Sequence, residues 1–288
     1  MWTHGTAPLG EVNLHYVSAG AGRLILFLHG FPEFWYAWKD QLAEFSRDAR
    51  AVACDLRGYN RSSKPADVRQ YEMPHLVADV VGLIQHLQHD RAVLVGHDWG
   101  GIIAWAVAAL HPKTVERLVT INAPHPNVFA ERLRTDPAQQ QASRYMLEFR
   151  SPDAEAKLSA HCFRLLSAAV LGEGLREGYL DEEDQAAYLD AWSRPGALTG
   201  GLNYYRAARL GPPDPAFEPA PALPPLRVPR PTLVIWGEQD PYLLPCNLDG
   251  LERWAPDLEV VRVPDAGHWI VHQRPAFVNE TIRRFLDR

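Results

Sequence analysis

The chain has 288 residues, 47% of them hydrophobic and 22% charged, with a formal net charge of −6, long enough for one large domain with an insertion or for two small domains. No Lys/Arg stripe stands out, which argues against a nucleic-acid partner. No apolar run reaches the ~20 residues that span a bilayer, and the opening MWTHGTAPLGEVNLHYV lacks the charged lead and apolar core of a secretory signal. The three cysteines, Cys54, Cys162 and Cys246, are too far apart in sequence for a zinc site or a disulfide framework, so a reducing, cytoplasmic setting is expected.

Taken in chain order, the first half alternates strand and helix patterns. Residues 11–17 alternate apolar and polar side chains, as a half-exposed strand does. Residues 24–28 (LILFL), 51–54 (AVAC), 92–95 (AVLV) and 118–121 (LVTI) are short apolar runs, each ended by Gly or a polar turn. Such runs predict strands buried on both faces, and hence a parallel sheet. Between them, Leu76, Val77, Val80, Val81, Ile84 and Leu87 recur at helical spacing after Pro74, a residue suited to a first turn. The stretch from Trp99 to Leu110 is apolar almost all round, so it reads as a buried helix, ended by His111-Pro112.

From Asn127 to about Leu210 only helical patterns occur. Ser151-Pro152 reads as a cap and first turn ahead of Leu158, Cys162, Leu165 and Leu166, and Asp181 as a cap ahead of Tyr188, Leu189 and Trp192. Residues 211–231 are rich in proline and predict a stiff, extended connector. Strand patterns resume at 232–236 (TLVIW) and 259–263 (EVVRV), and a last helix carries Val278, Ile282 and Phe285. The predicted architecture is an α/β core with a mostly parallel, doubly wound sheet. The core occupies 1–126 and 215–288, and a helical insertion occupies 127–214.

The sharpest chemical signal is Gly96-His97-Asp98-Trp99-Gly100-Gly101, lying between an apolar strand and a buried helix. That is the setting of a nucleophile elbow, a strained turn that lifts one side chain above the sheet. Its glycines leave room where backbones approach closely. The central residue is Asp98 where a serine hydrolase has Ser, which rules out a serine esterase. The plain alternative is a Gly-rich turn with Asp98 as a helix cap. Two more strand ends weigh against that alternative. Trp236-Gly237-Glu238-Gln239-Asp240 supplies an acid, with Glu238 as the rival to Asp240, and Asp265-Ala266-Gly267-His268-Trp269 supplies a histidine. Nucleophile, acid, His is the chain order of α/β-hydrolases, and all three groups fall where open α/β sheets place their sites. His29-Gly30-Phe31-Pro32 ends another strand. In this fold such a loop gives one oxyanion N–H and the residue after the nucleophile gives the other, so the backbone amides of Phe31 and Trp99 are expected to form the hole. His29 itself is expected to be structural.

Together, HGFPEFWYAW, DLRGYNRSSKP, GHDWGG, NAPHP, WGEQD and DAGHW resemble the epoxide hydrolase branch of the α/β-hydrolase superfamily, across nearly the whole chain. The resemblance implies the α/β-hydrolase fold with the insertion as a lid, and two lid tyrosines that bind and protonate the epoxide oxygen. GLNYYR is similar to the segment carrying one of them, which points to Tyr205, with Tyr204 as the alternative. RYMLEF is similar to the segment carrying the other, at Tyr145. Asn60 departs from the pattern, standing where a glycine is common.

On this reading Asp98 attacks an epoxide carbon to form an ester. The phenols protonate the opening alkoxide, and His268, oriented by Asp240, activates the water that cleaves the ester. No cofactor is called for, and no metal-ligand cluster is present in the sequence. The aromatics near the motifs suggest an apolar pocket, with Trp35, Tyr204 and Trp269 expected to line it beside the reacting groups. The expected partners are a small apolar epoxide and water, and the chain is expected to be a monomer or homodimer. Two alternatives stay open: a haloalkane or haloacid dehalogenase on the same fold, and a catalytically silent ligand-binding protein that kept the pocket.

Overall fold

The computed structural model describes residues 2–288. In chain order its main elements are β1 (Thr3–Leu9), β2 (Val12–Ala19), β3 (Leu24–Leu28), α1 (Lys39–Phe45), β4 (Arg50–Cys54), α2 (Met73–His86), β5 (Ala92–His97), α3 (Trp99–Leu110) and β6 (Val115–Ile121). Seven helices follow: α4 (Pro126–Thr135), α5 (Pro137–Ala142), α6 (Tyr145–Arg150), α7 (Ala154–Val170), α8 (Gly172–Glu177), α9 (Glu182–Ser193) and α10 (Ala197–Ala208). The chain closes with β7 (Thr232–Gly237), β8 (Leu258–Val263), α11 (Ile270–Gln273) and α12 (Pro275–Leu286).

The strands form one sheet in the order β1-β2-β4-β3-β5-β6-β7-β8. From β4 to β8 neighbouring strands are parallel, while β2 pairs antiparallel with both β1 and β4. The apolar runs are the central strands: every residue of β3, β5 and β7 is buried. Each fully buried Leu, Ile, Val or Phe there contributes about 1.5–3 kcal/mol relative to exposure, which fixes the sheet and leaves its carboxyl edge free to carry chemistry. The all-apolar α3 lies buried behind β5 and β6.

Three local expectations change. β1 has no apolar alternation in its sequence, THGTAPL; it forms because the backbone of β2 offers it a ladder of seven residue pairs at the sheet edge. The helix after Ser151 begins at Ala154 with Asp153 at its cap, and the Ser151 hydroxyl bonds the Asp153 carboxylate instead of a helix amide. That helix is also broken at Ala160–Phe163, where His161, Cys162 and Phe163 take left-handed backbone angles. Asp181 does cap α9, reciprocally with Asp184, as its acidic first turn suggests. The proline-rich connector runs without regular structure, and its end is pinned to the core through Asn127 and His125, which bond the backbone at Pro224 and Leu226. Among the described residues no helix is long and apolar enough to cross a membrane.

Candidate active site

Asp98 stands between β5 and α3 with φ 50° and ψ −122°, a backbone region that costs an ordinary residue about 1–3 kcal/mol and persists only where its surroundings enforce it. They do so through close packing. A Cβ on Gly96 would run into the Gly100 carbonyl, and one on Gly100 into the Leu28 carbonyl. A Cβ on Gly30 would occupy the space of the Asp98 side chain. Asp98 precedes α3 yet makes no side-chain cap bond to it, so the helix-cap alternative does not describe this residue. The residue is 7% exposed, and its Oδ1 accepts the Phe31 amide at 2.9 Å.

His268 faces the other oxygen. Its Nε2 lies 3.8 Å from Asp98 Oδ2, and its Nδ1 donates to Asp240 Oδ2 at 2.7 Å. Asp240 is buried and saturated. Oδ1 accepts the amides of Tyr242 and Leu243, and Oδ2 also accepts Asn122 Nδ2 at 2.8 Å. Glu238 instead reaches out to Arg262 on the surface, which leaves Asp240 as the acid. Burial works against the protonated form of His268, but the charge and hydrogen bond of Asp240, with the Asp98 charge behind them, outweigh it and raise its pKa from 6.5 to about 9. His29 is structural: Nδ1 donates to the Gly30 carbonyl and Nε2 accepts the Leu56 amide.

The lid tyrosines meet above this trio. Tyr205 on α10 packs edge-on against Trp99 and Phe31 at ring separations of 5.2 and 5.6 Å. Tyr145 on α6 lies 6.4 Å from Tyr205 and 5.4 Å from Tyr242, whose ring in turn covers His268. Burial pushes both phenols well above 10, and the nearby Asp98 charge adds to the rise, so both hydroxyls keep their protons at neutral pH. The Trp99 amide opens α3 as a first-turn N–H, which has no partner inside a helix.

Such a set of groups can form and break an ester at Asp98. A model of the alpha/beta hydrolase fold family matches residues 23–275. The chain is 39% identical to the AB hydrolase superfamily protein YfhM of Bacillus subtilis, over 96% of this chain and 94% of that protein. It is 38% identical to epoxide hydrolase 4 of Homo sapiens, over 96% of this chain and 76% of that one. A crystal structure of Bacillus megaterium epoxide hydrolase in complex with an inhibitor superposes with a TM-score of 0.91 at 38% identity, covering 99% of this chain and all of that one. The chain belongs to the epoxide hydrolases of the α/β-hydrolase family.

Two pocket expectations are corrected. Trp35 turns away from the site: its ring meets Trp2 and His4 at 5.5 and 5.6 Å on the β1 side, because its amide is tied to the Asp55 carboxylate. Tyr204 is fully buried and its hydroxyl donates to the Arg57 carbonyl at 2.7 Å. It therefore fastens α10 to the core, and of the adjacent pair only Tyr205 faces the Tyr145 ring. Trp269 lies against the His268 and His97 rings. Asn60 takes φ 39° and donates to Asp55, meeting a glycine-like backbone demand with a residue type that tolerates it. Residues that the sequence reading passed over are Asn122, which also clasps the Gly237 backbone, and the buried Glu33, His97, His272 and Tyr188. The signal for Asn122, Glu33 and His97 was present, since each lies inside a motif at a strand end.

Proposed function

We propose that this epoxide hydrolase opens an apolar epoxide to a vicinal diol through an ester on Asp98, and the asymmetry of the Asp98 carboxylate carries the reading. Oδ1 is held by the Phe31 amide, so it stays as the ester carbonyl oxygen and takes the charge when water adds. Oδ2 is left to attack an epoxide carbon. Tyr145 or Tyr205 gives a proton to the alkoxide as the ring opens, and two phenols facing one another can hold the same oxygen. Phenols raised above their usual pKa stay protonated until strong negative charge develops beside them.

The charges around His268 then change in the required sense. In the resting site two carboxylates hold its proton. Esterification neutralises Asp98, removing one of them and leaving Asp240. The deprotonated tyrosine and protonated His268 exchange one proton, and the neutral imidazole can now take a proton from water. Water gives that proton to His268 and adds to the Asp98 carbonyl carbon; as the Cγ–Oδ2 bond breaks, His268 passes the proton to Oδ2, the diol leaves, and the regenerated Asp98 acid gives its own proton to the neutral His268. The cycle closes with atoms and protons balanced, using this chain's residues alone.

The residues argue less well for halide removal, which needs two N–H donors for the leaving ion. Phe31 has none in its side chain, and the Trp99 ring is packed edge-on against that of Tyr205. The test is a single turnover of styrene oxide in ¹⁸O-water. The first diol should carry an unlabelled oxygen from Asp98, with the label in the enzyme, and 1-bromobutane should give no halide. Label entering the first diol directly, or halide release without diol formation, would overturn the proposal.

A further inference from the structure

Glu33, in the loop after β3, is a fully buried carboxylate whose side-chain hydrogen bonds run to His97, His272 and Tyr188. Oε1 accepts the Tyr188 hydroxyl at 2.9 Å and His272 Nε2 at 2.6 Å, and Oε2 meets His97 Nδ1 at 3.1 Å. A carboxylate so far from water is tolerated only when its oxygens are matched. Burial works against its charged form, but the facing histidines overcome this and hold its carboxyl well below the usual range.

The partners matter because of where they sit. His97 immediately precedes the nucleophile, and its Nε2 donates to the His268 carbonyl at 2.8 Å. A carbonyl only accepts, so Nε2 donates here and Nδ1 is turned to Glu33. His272 lies on α11, one turn beyond His268. Glu33 itself is two residues from Phe31, whose amide holds Asp98. One carboxylate therefore joins the loop bearing the oxyanion donor, the strand bearing the nucleophile and the segment bearing the base. Its fourth attachment is different: Tyr188 comes from α9, in the inserted helices. The same helix donates Trp192 Nε1 to the Pro32 carbonyl at 2.5 Å, and its first-turn residue Asp184 pairs with Lys39.

We infer that Tyr188 is a positioning residue for the second half of the reaction: docking of α9 on Glu33 sets His268 and the Phe31 amide against Asp98, so that ester cleavage runs at full rate only with α9 seated. This rests on the Asp98-ester reading. Ring opening uses Asp98, Tyr145 and Tyr205, and the latter two hang from α6 and α10, with no hydrogen bond to Glu33. Loss of the Tyr188 hydroxyl therefore acts unequally on the two steps.

The experiment is rapid-quench turnover of styrene oxide by the full-length Tyr188→Phe variant, with intact-protein mass reporting the fraction held as ester. Tyr188→Phe keeps the ring against Phe34 and Trp192 and leaves Glu33 with both histidines, so the fold has its remaining bonds. Ester cleavage is expected to slow about tenfold, near the low end of what a hydrogen bond to a charged group supports, while ester formation changes less than about twofold. Trp192→Phe, which removes the bond to Pro32, is expected to shift the balance in the same direction. Equal slowing of both steps, or of neither, in both variants overturns the inference. His268→Gln, run alongside, should hold the ester. If it holds none, the ester reading falls and this inference with it; if it does while Tyr188→Phe gathers none, only this inference falls.

Discussion

The α/β core and the inserted helices contribute to one site by different physical routes. In the core each proposed reacting group stands beyond the end of a strand: Asp98 after β5, Asp240 after β7, His268 after β8. Strand, turn and function are contiguous in sequence, so the local pattern carries the role. In the insertion, Tyr145, Tyr188, Tyr204 and Tyr205 are all helical tyrosines packed against the core, and nothing local separates them. Two pack against each other and against Trp99 and Tyr242, one ties its helix to the Arg57 carbonyl, and one bonds Glu33. Chemistry in the core is set by topology, and in the insertion by which neighbour each hydroxyl meets.

That contrast can be broken by experiment. The largest effect should come from the core. Asp98→Ala removes the carboxylate proposed to attack and should lower turnover by about 10⁵-fold or more, with no mass adduct after exposure to epoxide. A variant still forming ester would move the nucleophile elsewhere.

Next in size is the insertion. Tyr145→Phe combined with Tyr205→Phe should slow ring opening by about 10²–10⁴-fold, the range of general acid catalysis. Any ester that does form should be cleaved at close to the native rate. Single-turnover traces resolve the two steps, and equal slowing of both would mean that these phenols serve the core as well.

A smaller effect concerns pH and folding. The pKa of His268 is raised in the folded chain, so its pairing contributes stability that is complete below about pH 6.5 and is lost as pH rises through about 9. Thermal unfolding should therefore show a decline in melting temperature across that window from this group, and Asp240→Asn should flatten it. An unchanged slope in the variant would show that the proton on His268 is held by something other than Asp240. The smallest effect is expected at Trp35→Phe. Its ring lies on the β1 side, so kcat/KM for styrene oxide should change by less than about twofold; a large change in KM would return Trp35 to the substrate pocket.

Much of the core was legible because buried parallel strands leave near-continuous apolar runs and glycine-marked ends. β1 escaped because its stability comes from a partner's backbone and leaves no side-chain pattern of its own. Trp35 misled because closeness in sequence to HGFPE says nothing about which side of the sheet a ring turns to; the bond from its amide to Asp55 decides that. Asn122 was visible within NAPHP but silent, since its partners Gly237 and Asp240 lie 115 and 118 residues away.

The sequence alone determined that an aspartate occupies the elbow, that an acid and a histidine follow in order, and that a helical insertion separates them from it, because these follow from patterns a few residues long. Only the tertiary structure decided which tyrosine rings gather beside Trp99 and Tyr242, how Glu33 ties α9 to the loops around Asp98, and that His268 stands between two carboxylates. Those outcomes depend on distances between segments up to 239 residues apart in the chain, and on the removal of water that makes each charge felt by the next.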